Sequence, residues 1–268
     1  MNPIHVSMDV RLNPGYSEYA IDSERDLELT FRADQDADVF IEIHHSGKLN
    51  LRTYAARGVH VSYLIYNRCD SLLETEETHE VMGDADVTVA YGEINSAETK
   101  RNTYMVLREE GARGLFSSAS LVNTKKNYRM QVVNERPHTY GDMKNYAVVL
   151  KGGKLLIDAV GKVVKGAHGS ESHQTSRSLS FEEGQTAEIL PELLIDEYDV
   201  QASHAMSIGR VDEEQLYYLM SRGLSLAQCT SLISAGYLMP ITETLSNPEL
   251  QEKLKAEMQE RIGEICAR

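Results

Sequence analysis

Residues 166–181, GAHGSESHQTSRSLSF, and residues 201–224, QASHAMSIGRVDEEQLYYLMSRGL, decide how this chain is read. The first sets His168 and His173 among small polar residues in a strand-and-turn pattern. The second carries His204 near the end of an extended run, then Asp212 and Gln215 at the spacing of a capping-box variant, then Gly223. Such a box satisfies the free N–H groups of a first helical turn, and a glycine past the last turn stops the helix. The chain therefore changes character near residue 210, from extended to helical.

Toward the N-terminus the extended character persists. Val39-Phe40-Ile41-Glu42-Ile43, Val59-His60-Val61-Ser62-Tyr63-Leu64-Ile65, Val87-Thr88-Val89-Ala90-Tyr91, Tyr146-Ala147-Val148-Val149-Leu150 and Leu155-Leu156-Ile157 are short, β-branched segments between polar turns. Alternation of this kind marks half-buried strands. No helical pattern of 10–15 residues separates them, which excludes alternating β/α units. Residues 1 to about 24 are turn-rich around Asn13-Pro14-Gly15 and read as a lead-in strand or loop. Evenly spaced turns such as Asp36-Ala37-Asp38, Gly83-Asp84-Ala85-Asp86 and Gly152-Gly153-Lys154 suit a sandwich or a parallel β-helix. Asn-Gly and Asp-Gly hairpin signals are missing, which favours the helix. The expectation is a mainly β chain, with a parallel β-helix (solenoid) body over 1–210 and a small α-helical segment over 211–268.

That C-terminal segment is punctuated clearly. Ser225 and Gln228 form a capping box, a break precedes Pro240, and Asn247-Pro248-Glu249 supplies an N-cap, a first-turn proline and an acid for the helix dipole. Leu250, Leu254, Met258, Ile262 and Ile265 then fall on one apolar stripe.

Composition narrows function. A formal net charge of −14 argues against nucleic acid and against an anionic membrane surface, both of which need clustered Lys and Arg. No apolar run approaches the roughly 20 residues of a membrane span, and no basic-then-apolar leader follows Met1. A soluble, cytoplasmic protein is the expectation. Cys69, Cys229 and Cys266 are too few and too scattered for a disulfide framework, and no CxxC is present. Cys229 reads as core packing, Cys266 as frayed, and Cys69 as either an exposed thiol or a filler beside Tyr66.

More than ten positions in register carry a family resemblance: Ser203-His204, Gly209, Asp212 to Leu216, Tyr218, Leu219 and Ser221-Arg222-Gly223. This order resembles the core signature of the SufB/SufD scaffold proteins of iron–sulfur cluster assembly. The resemblance implies a parallel β-helix and a non-catalytic scaffold. It also implies a C-terminal helical segment that docks an ABC-type ATPase, SufC, here through Leu216, Tyr217, Leu219, Met220 and Arg222. It covers roughly 100 to 240 well and the final helix loosely. In SufD-like relatives the histidine matching His204 lies at the SufB–SufD interface and is implicated in forming the nascent cluster. In SufB-like members a cysteine 28 residues earlier and a glutamate directly after that histidine are the favoured ligands. Here those positions hold Ser176 and Ala205, neither of which suits iron. The resemblance is thus to the SufD type or to a minimal relative of both. It implies no cluster held stably by this chain alone, only iron or a transient cluster at an interface.

The metal or cluster-assembly candidates are His204, His173, His168 and Glu171. Strands one rung apart in a β-helix lie about 4.8 Å apart, so a spacing near 30 residues would bring His173 or Ser176 close to His204. The plainer readings are a hydrogen-bonded corner histidine at 204, an inward polar contact at His173 and a solvated His168. The acidic runs Asp34–Asp38 and Glu74–Glu77 lack calcium-loop geometry and read as solvated faces. The helix from 212 to 222 is apolar beyond one face, which suits either a partner surface or a cap over the open end of the solenoid.

No P-loop is present, so ATP hydrolysis in such a complex belongs to the partner. The implied partners are the ATPase and either a second copy or a SufB-like protein. Two other classes fit the residues less well. A carbohydrate-active β-helix enzyme needs paired outward acids on adjacent rungs, and no convincing pair stands out. A structural β-solenoid module leaves the signature above unexplained.

Overall fold

The computed structural model describes residues 4–6, 8–45 and 47–267. Its strands are β1 (Ile4–His5), β2 (Val10–Arg11), β3 (Gly15–Asp22), β4 (Leu27–Ala33), β5 (Ala37–His45), β6 (Lys48–Ala55), β7 (His60–Asn67), β8 (Leu73–Val81) and β9 (Asp86–Glu93). They continue as β10 (Thr99–Leu107), β11 (Arg113–Val122), β12 (Lys125–Asn134), β13 (Tyr140–Val149), β14 (Lys154–Val163), β15 (Ser170–Ser180), β16 (Thr186–Ile195) and β17 (Val200–Arg210). Odd strands form one parallel sheet in chain order, and even strands form a second. Each turn of the chain adds one strand to each sheet, which makes the body a flattened parallel β-solenoid.

Register is kept while turn length varies. Leu49, Thr75, Arg101, Tyr128, Ile157 and Ile189 stack on successive turns of the even sheet. The residues between Leu49 and Thr75 are fewer than those between Ile157 and Ile189, so the sequence shows strands but no sharp repeat. Alternate side chains point between the sheets, where Phe31, Ile41, Leu51, Tyr63, Val89, Phe116, Met130 and Ile157 form the main core. The first long strand, β3, begins at Gly15, so the lead-in region expected as strand or loop is a strand from there on.

Three α-helices follow: α1 (Glu213–Ser221), α2 (Leu226–Leu238) and, after a 3-10 turn over Met239–Thr244, α3 (Pro248–Cys266). Asp212 caps α1, Ser225 and Gln228 close a capping box on α2, and Asn247 accepts from the N–H groups of Glu249 and Leu250. The segment does not cap the solenoid's open end. It lies along the outer face of the odd sheet, α2 against β11 and β13 and the 3-10 turn against β7, β9 and β11.

The reason is a second apolar surface on that sheet. Phe40, Leu64, Tyr66, Ala90, Ile94, Ala119, Leu121 and Val148 point outward and are buried by Leu238, Ile241, Leu250, Leu254, Met258, Ile262 and Ile265. At roughly 1.5–3 kcal/mol per buried aliphatic side chain, the α3 stripe alone anchors the helix. Strands buried on both faces read as continuous apolar runs, as Tyr63-Leu64-Ile65-Tyr66 does. Gly92 belongs to this arrangement, since a Cβ there would lie 2.5 Å from the Tyr66 ring. Polar clasps add direction: Ser246 donates from its N–H and hydroxyl to Asp38 at 2.7 and 2.6 Å, and Arg68 pairs with Glu42 and Glu257. Cys266 is half-buried against this second core and is not frayed.

Candidate functional site at the open end of the solenoid

β17 and β16 are the last strands of their sheets, and among the described residues no other strand pairs with their outer edges. Val211 donates to the carbonyl of Ser180, and Asp199 accepts from Gly169. In a parallel ladder the N–H and C=O of one residue point to the same side, and successive residues alternate. The backbone groups of Ala202, His204, Met206 and Ile208 therefore point away from β15, toward the open edge. On β16 the N–H groups of Thr186 and Asp196 serve β14, so Pro191 sits where its missing N–H faces the edge. Met206 and Ile208 are 51% and 50% exposed, and Leu190 and Leu194 are similarly open on the outer face of β16. An edge carrying unpaired donors beside exposed apolar side chains is built to be covered.

His204 pairs in register with Gln174, and Ser176 pairs with Met206. Paired residues of a parallel sheet share a face, so His204 extends the inward column of Ser172, Gln174, Ser176 and Ser178, all buried. Gln174 donates to the carbonyl of Glu192 at 2.8 Å, and its Oε1 is buried with no partner. A Cβ on Gly161 would fall 2.4 Å from Ser172 Oγ, so glycine there makes room for this polar column. Asn145 continues the column inward, accepting from Ser118 at 2.7 Å and donating to Ser176 at 3.2 Å.

His173 is not beside His204. It pairs in register with Ser203, one residue out of step, and the two-residue pleat puts His173 and His204 on opposite faces. On the outer face His173 Nδ1 lies 2.7 Å from Ser203 Oγ and its Nε2 lies 3.1 Å from Glu171. His168 is exposed in the preceding turn, edge-on to His138 with ring centroids 5.3 Å apart. The four sequence candidates thus separate into an inward His204, an outward His173–Glu171 pair and a turn at His168. Among the described residues no group of three or more His, Cys, Asp or Glu side chains is placed to hold a metal ion. The open rung itself offers one imidazole and no thiol.

Sequence reasoning missed a buried ionic network in the middle of the solenoid. The acidic run Glu74–Glu77 suggests a solvated face, yet Thr75, Glu77 and His79 face inward on β8 and are fully buried. Arg101 joins Glu77 and Glu93, with the Glu93 contact at 2.8 Å, and lies over the Tyr91 ring. Lys126 reaches Asn95 at 2.7 Å and Glu93 at 3.4 Å. Burial alone would raise the Glu77 carboxyl, but Arg101 and its hydrogen-bond partners hold it down at about 2. Burial lowers the Lys126 ammonium. Cys69 is buried beside this network, its N–H held by Asn67, and burial together with Glu93 pushes its thiol up to about 12. That thiol is an inert filler, because a thiolate is what ligates or attacks. The alternation Glu74-Thr75-Glu76-Glu77-Thr78-His79 was the available signal, since every second residue of a strand shares a face.

On α1, Leu216 and Leu219 are half-buried while Tyr217, Tyr218, Met220 and Arg222 are exposed, Tyr217 at 76%. Among the described residues α1 packs mainly against α2, beside a 410 Å³ cavity lined by Asp212, Glu214, Gln215, Tyr218, Leu219 and Ile233. Leu226 and Leu232 of α2 extend the exposed apolar surface.

The family model for the SUF system FeS cluster assembly SufBD core domain matches residues 28–237. The chain is 29% identical over 181 residues to the iron-sulfur cluster assembly protein SufD of Bacillus subtilis (strain 168), covering 67% of this chain and 41% of that relative. It is 28% identical over 179 residues to SufB of the same organism, covering 64% and 38%. An iron-sulfur cluster assembly SufBD family protein of Staphylococcus epidermidis is 27% identical over 179 residues. The chain spans about two fifths of the length of these curated relatives.

Proposed function

Because the chain belongs to the SufB/SufD family, we propose that it is a scaffold subunit of an iron–sulfur cluster assembly complex, non-catalytic in itself and working in the cytoplasm. The observation that carries this reading is the open last rung, where His204 faces the polar interior from a strand whose outer backbone edge is unpaired. A second solenoid pairing with β17 would cover that edge, either a second copy of this chain or a SufB-like protein. It would enclose His204 with Gln174 and Met206 in a site shared by two subunits. Iron or a nascent cluster is then cargo at that junction, with the thiolate or carboxylate ligands drawn from the partner.

The face of α1 and its C-cap, with half-buried Leu216 and Leu219 and exposed Tyr217, Met220 and Arg222, is the proposed seat of a SufC-type ABC ATPase. Since α2 and α3 are packed on the flank of the odd sheet, movement of that ATPase would reach β11 and β13 through α2. The charge of −14 supports neither nucleic acid nor an anionic membrane as partner. Among the described residues no single helix is long and apolar enough to cross a membrane. Co-expression with the ATPase and a SufB-like protein, followed by affinity purification, tests the reading. Recovery of this chain alone under conditions where the other two associate would overturn it.

A further inference from the structure

On the outer face of the last two odd strands, Ser203, His173 and Glu171 form a chain of hydrogen bonds whose polarity follows from a neutral imidazole. Glu171 Oε2, 3.1 Å from Nε2, can only accept as a carboxylate, so Nε2 carries the proton. In the neutral ring Nδ1 is then the acceptor, and the Ser203 hydroxyl, 2.7 Å away, donates to it. A serine hydroxyl donating to an imidazole that is oriented by a carboxylate is the arrangement that activates a nucleophile. The ring is held in place: Tyr140 packs on it with centroids 5.8 Å apart, and Arg113 lies 4.4 Å over the Tyr140 ring. Asp142, the register neighbour of His173 on β13, is itself paired with Lys144 at 3.2 Å. Ser203 is exposed, and Ala205, the next residue on its face, carries only a methyl group.

We propose that Ser203 is a nucleophilic hydroxyl, activated by His173 and Glu171, that takes an acyl group from an activated ester. Ser203 Oγ adds to the acyl carbonyl carbon while its proton passes to His173 Nδ1. The bond to the leaving group then breaks; a basic alkoxide or thiolate takes the proton from the imidazolium as it departs, and where a weakly basic phenolate leaves as the anion the imidazolium gives that proton to water. The chain is left with one serine ester and a neutral His173. The site is a flat sheet face with no enclosing pocket, so the product is a stoichiometric modification and not a turnover. This inference stands apart from the scaffold reading, because it uses the outer face and needs no partner.

The test is p-nitrophenyl acetate on the full chain, following p-nitrophenolate release and mapping acetylation by peptide mass. A burst of one equivalent on Ser203 is expected, absent in Ser203→Ala and slowed about a hundredfold or more in His173→Gln, the usual reach of a positioned general base. Glu171→Gln should slow it less, and serves in place of His173→Gln if that variant does not fold. Acetylation confined to lysines and the terminal amine, or a Ser203 burst unchanged by both His173→Gln and Glu171→Gln, would overturn the proposal.

Discussion

His204 stands in register with Gln174, while His173 stands in register with Ser203, so the two histidines face opposite sides of one sheet. That single-residue offset decides what each can do. His204 faces the polar interior and the open edge, whereas His173 faces solvent beside Glu171. Any site shared with a partner solenoid therefore forms around His204 and leaves His173 outside it.

The edge of β17 gives the first prediction. Continuing the sheet into a second chain satisfies the backbone groups of Ala202, His204, Met206 and Ile208, and Pro191 makes β16 the poorer edge for pairing. The isolated chain should be a homodimer at micromolar concentration by light scattering. Met206→Asp with Ile208→Asp should give a folded monomer, since both side chains are already half exposed in one chain. A monomeric wild-type chain, or a dimer unaffected by this pair, would move the interface elsewhere.

The face of α1 gives the second. Tyr217 is exposed and Leu216 half-buried on a helix that packs mainly on α2, so charges there leave the solenoid core intact. Leu216→Asp with Tyr217→Asp should weaken binding of the ABC ATPase by about 2 kcal/mol or more, roughly thirtyfold, as for a central interface anchor. Titration by calorimetry reads this directly, with circular dichroism as the folding check. Equal affinity of mutant and wild type would place the docking surface off α1.

Much of this architecture was legible in the residues. The period-two strands, the capping box at Ser225 and Gln228, and the stripe from Leu250 to Ile265 all rest on local chemistry, and local chemistry survives folding. Where the helices pack was not legible. The outward apolar residues Leu64, Ala90 and Leu121 sit in runs that look like any buried strand, and only the sheet's order shows which face they share. The placement of His173 depended on register, since counting 31 residues per turn reverses the face that 30 gives. Glu77 was misread because an acidic run suggests solvent, while its partners Arg101 and Tyr91 are distant in sequence and arrive only through stacking.

The buried network gives the third prediction. Arg101 neutralises both Glu77 and Glu93, whereas Lys126 serves Glu93 alone. Arg101→Met should therefore destabilise by about 3–5 kcal/mol, the cost of stranding a buried charge, and Lys126→Met by less. Urea unfolding measures both. The network also sets an acid limit: Glu77 titrates at about 2 in the folded protein against an ordinary 4.5, so its contribution is complete above pH 4.5 and is lost as pH falls toward 2. Replacing Glu77 by Gln should flatten that part of the stability profile. An unchanged acid transition in Glu77→Gln would show that other carboxylates govern it.

The last prediction concerns His204. The residue is exposed and sits on the terminal strand, so His204→Ala removes an imidazole without opening a cavity in a packed core. Folding, dimer formation and ATPase binding should all match wild type, because the backbone edge and the α1 face are untouched. Cluster assembly in cells dependent on this protein should fall, since alanine removes the one nitrogen donor that the open rung directs at the junction. His204→Gln separates ligation from mere occupancy: an amide can hydrogen-bond Gln174 but is a poor ligand for iron, so it should fail as alanine does. The isolated wild-type chain should not retain a stoichiometric [4Fe–4S] cluster after reconstitution, because among the described residues no group of three or more His, Cys, Asp or Glu side chains is placed to hold a metal ion. A stable cluster on the chain alone would demand a ligand set away from the open rung. Full activity of His204→Ala in cells would reduce that histidine to a polar residue lining an interface.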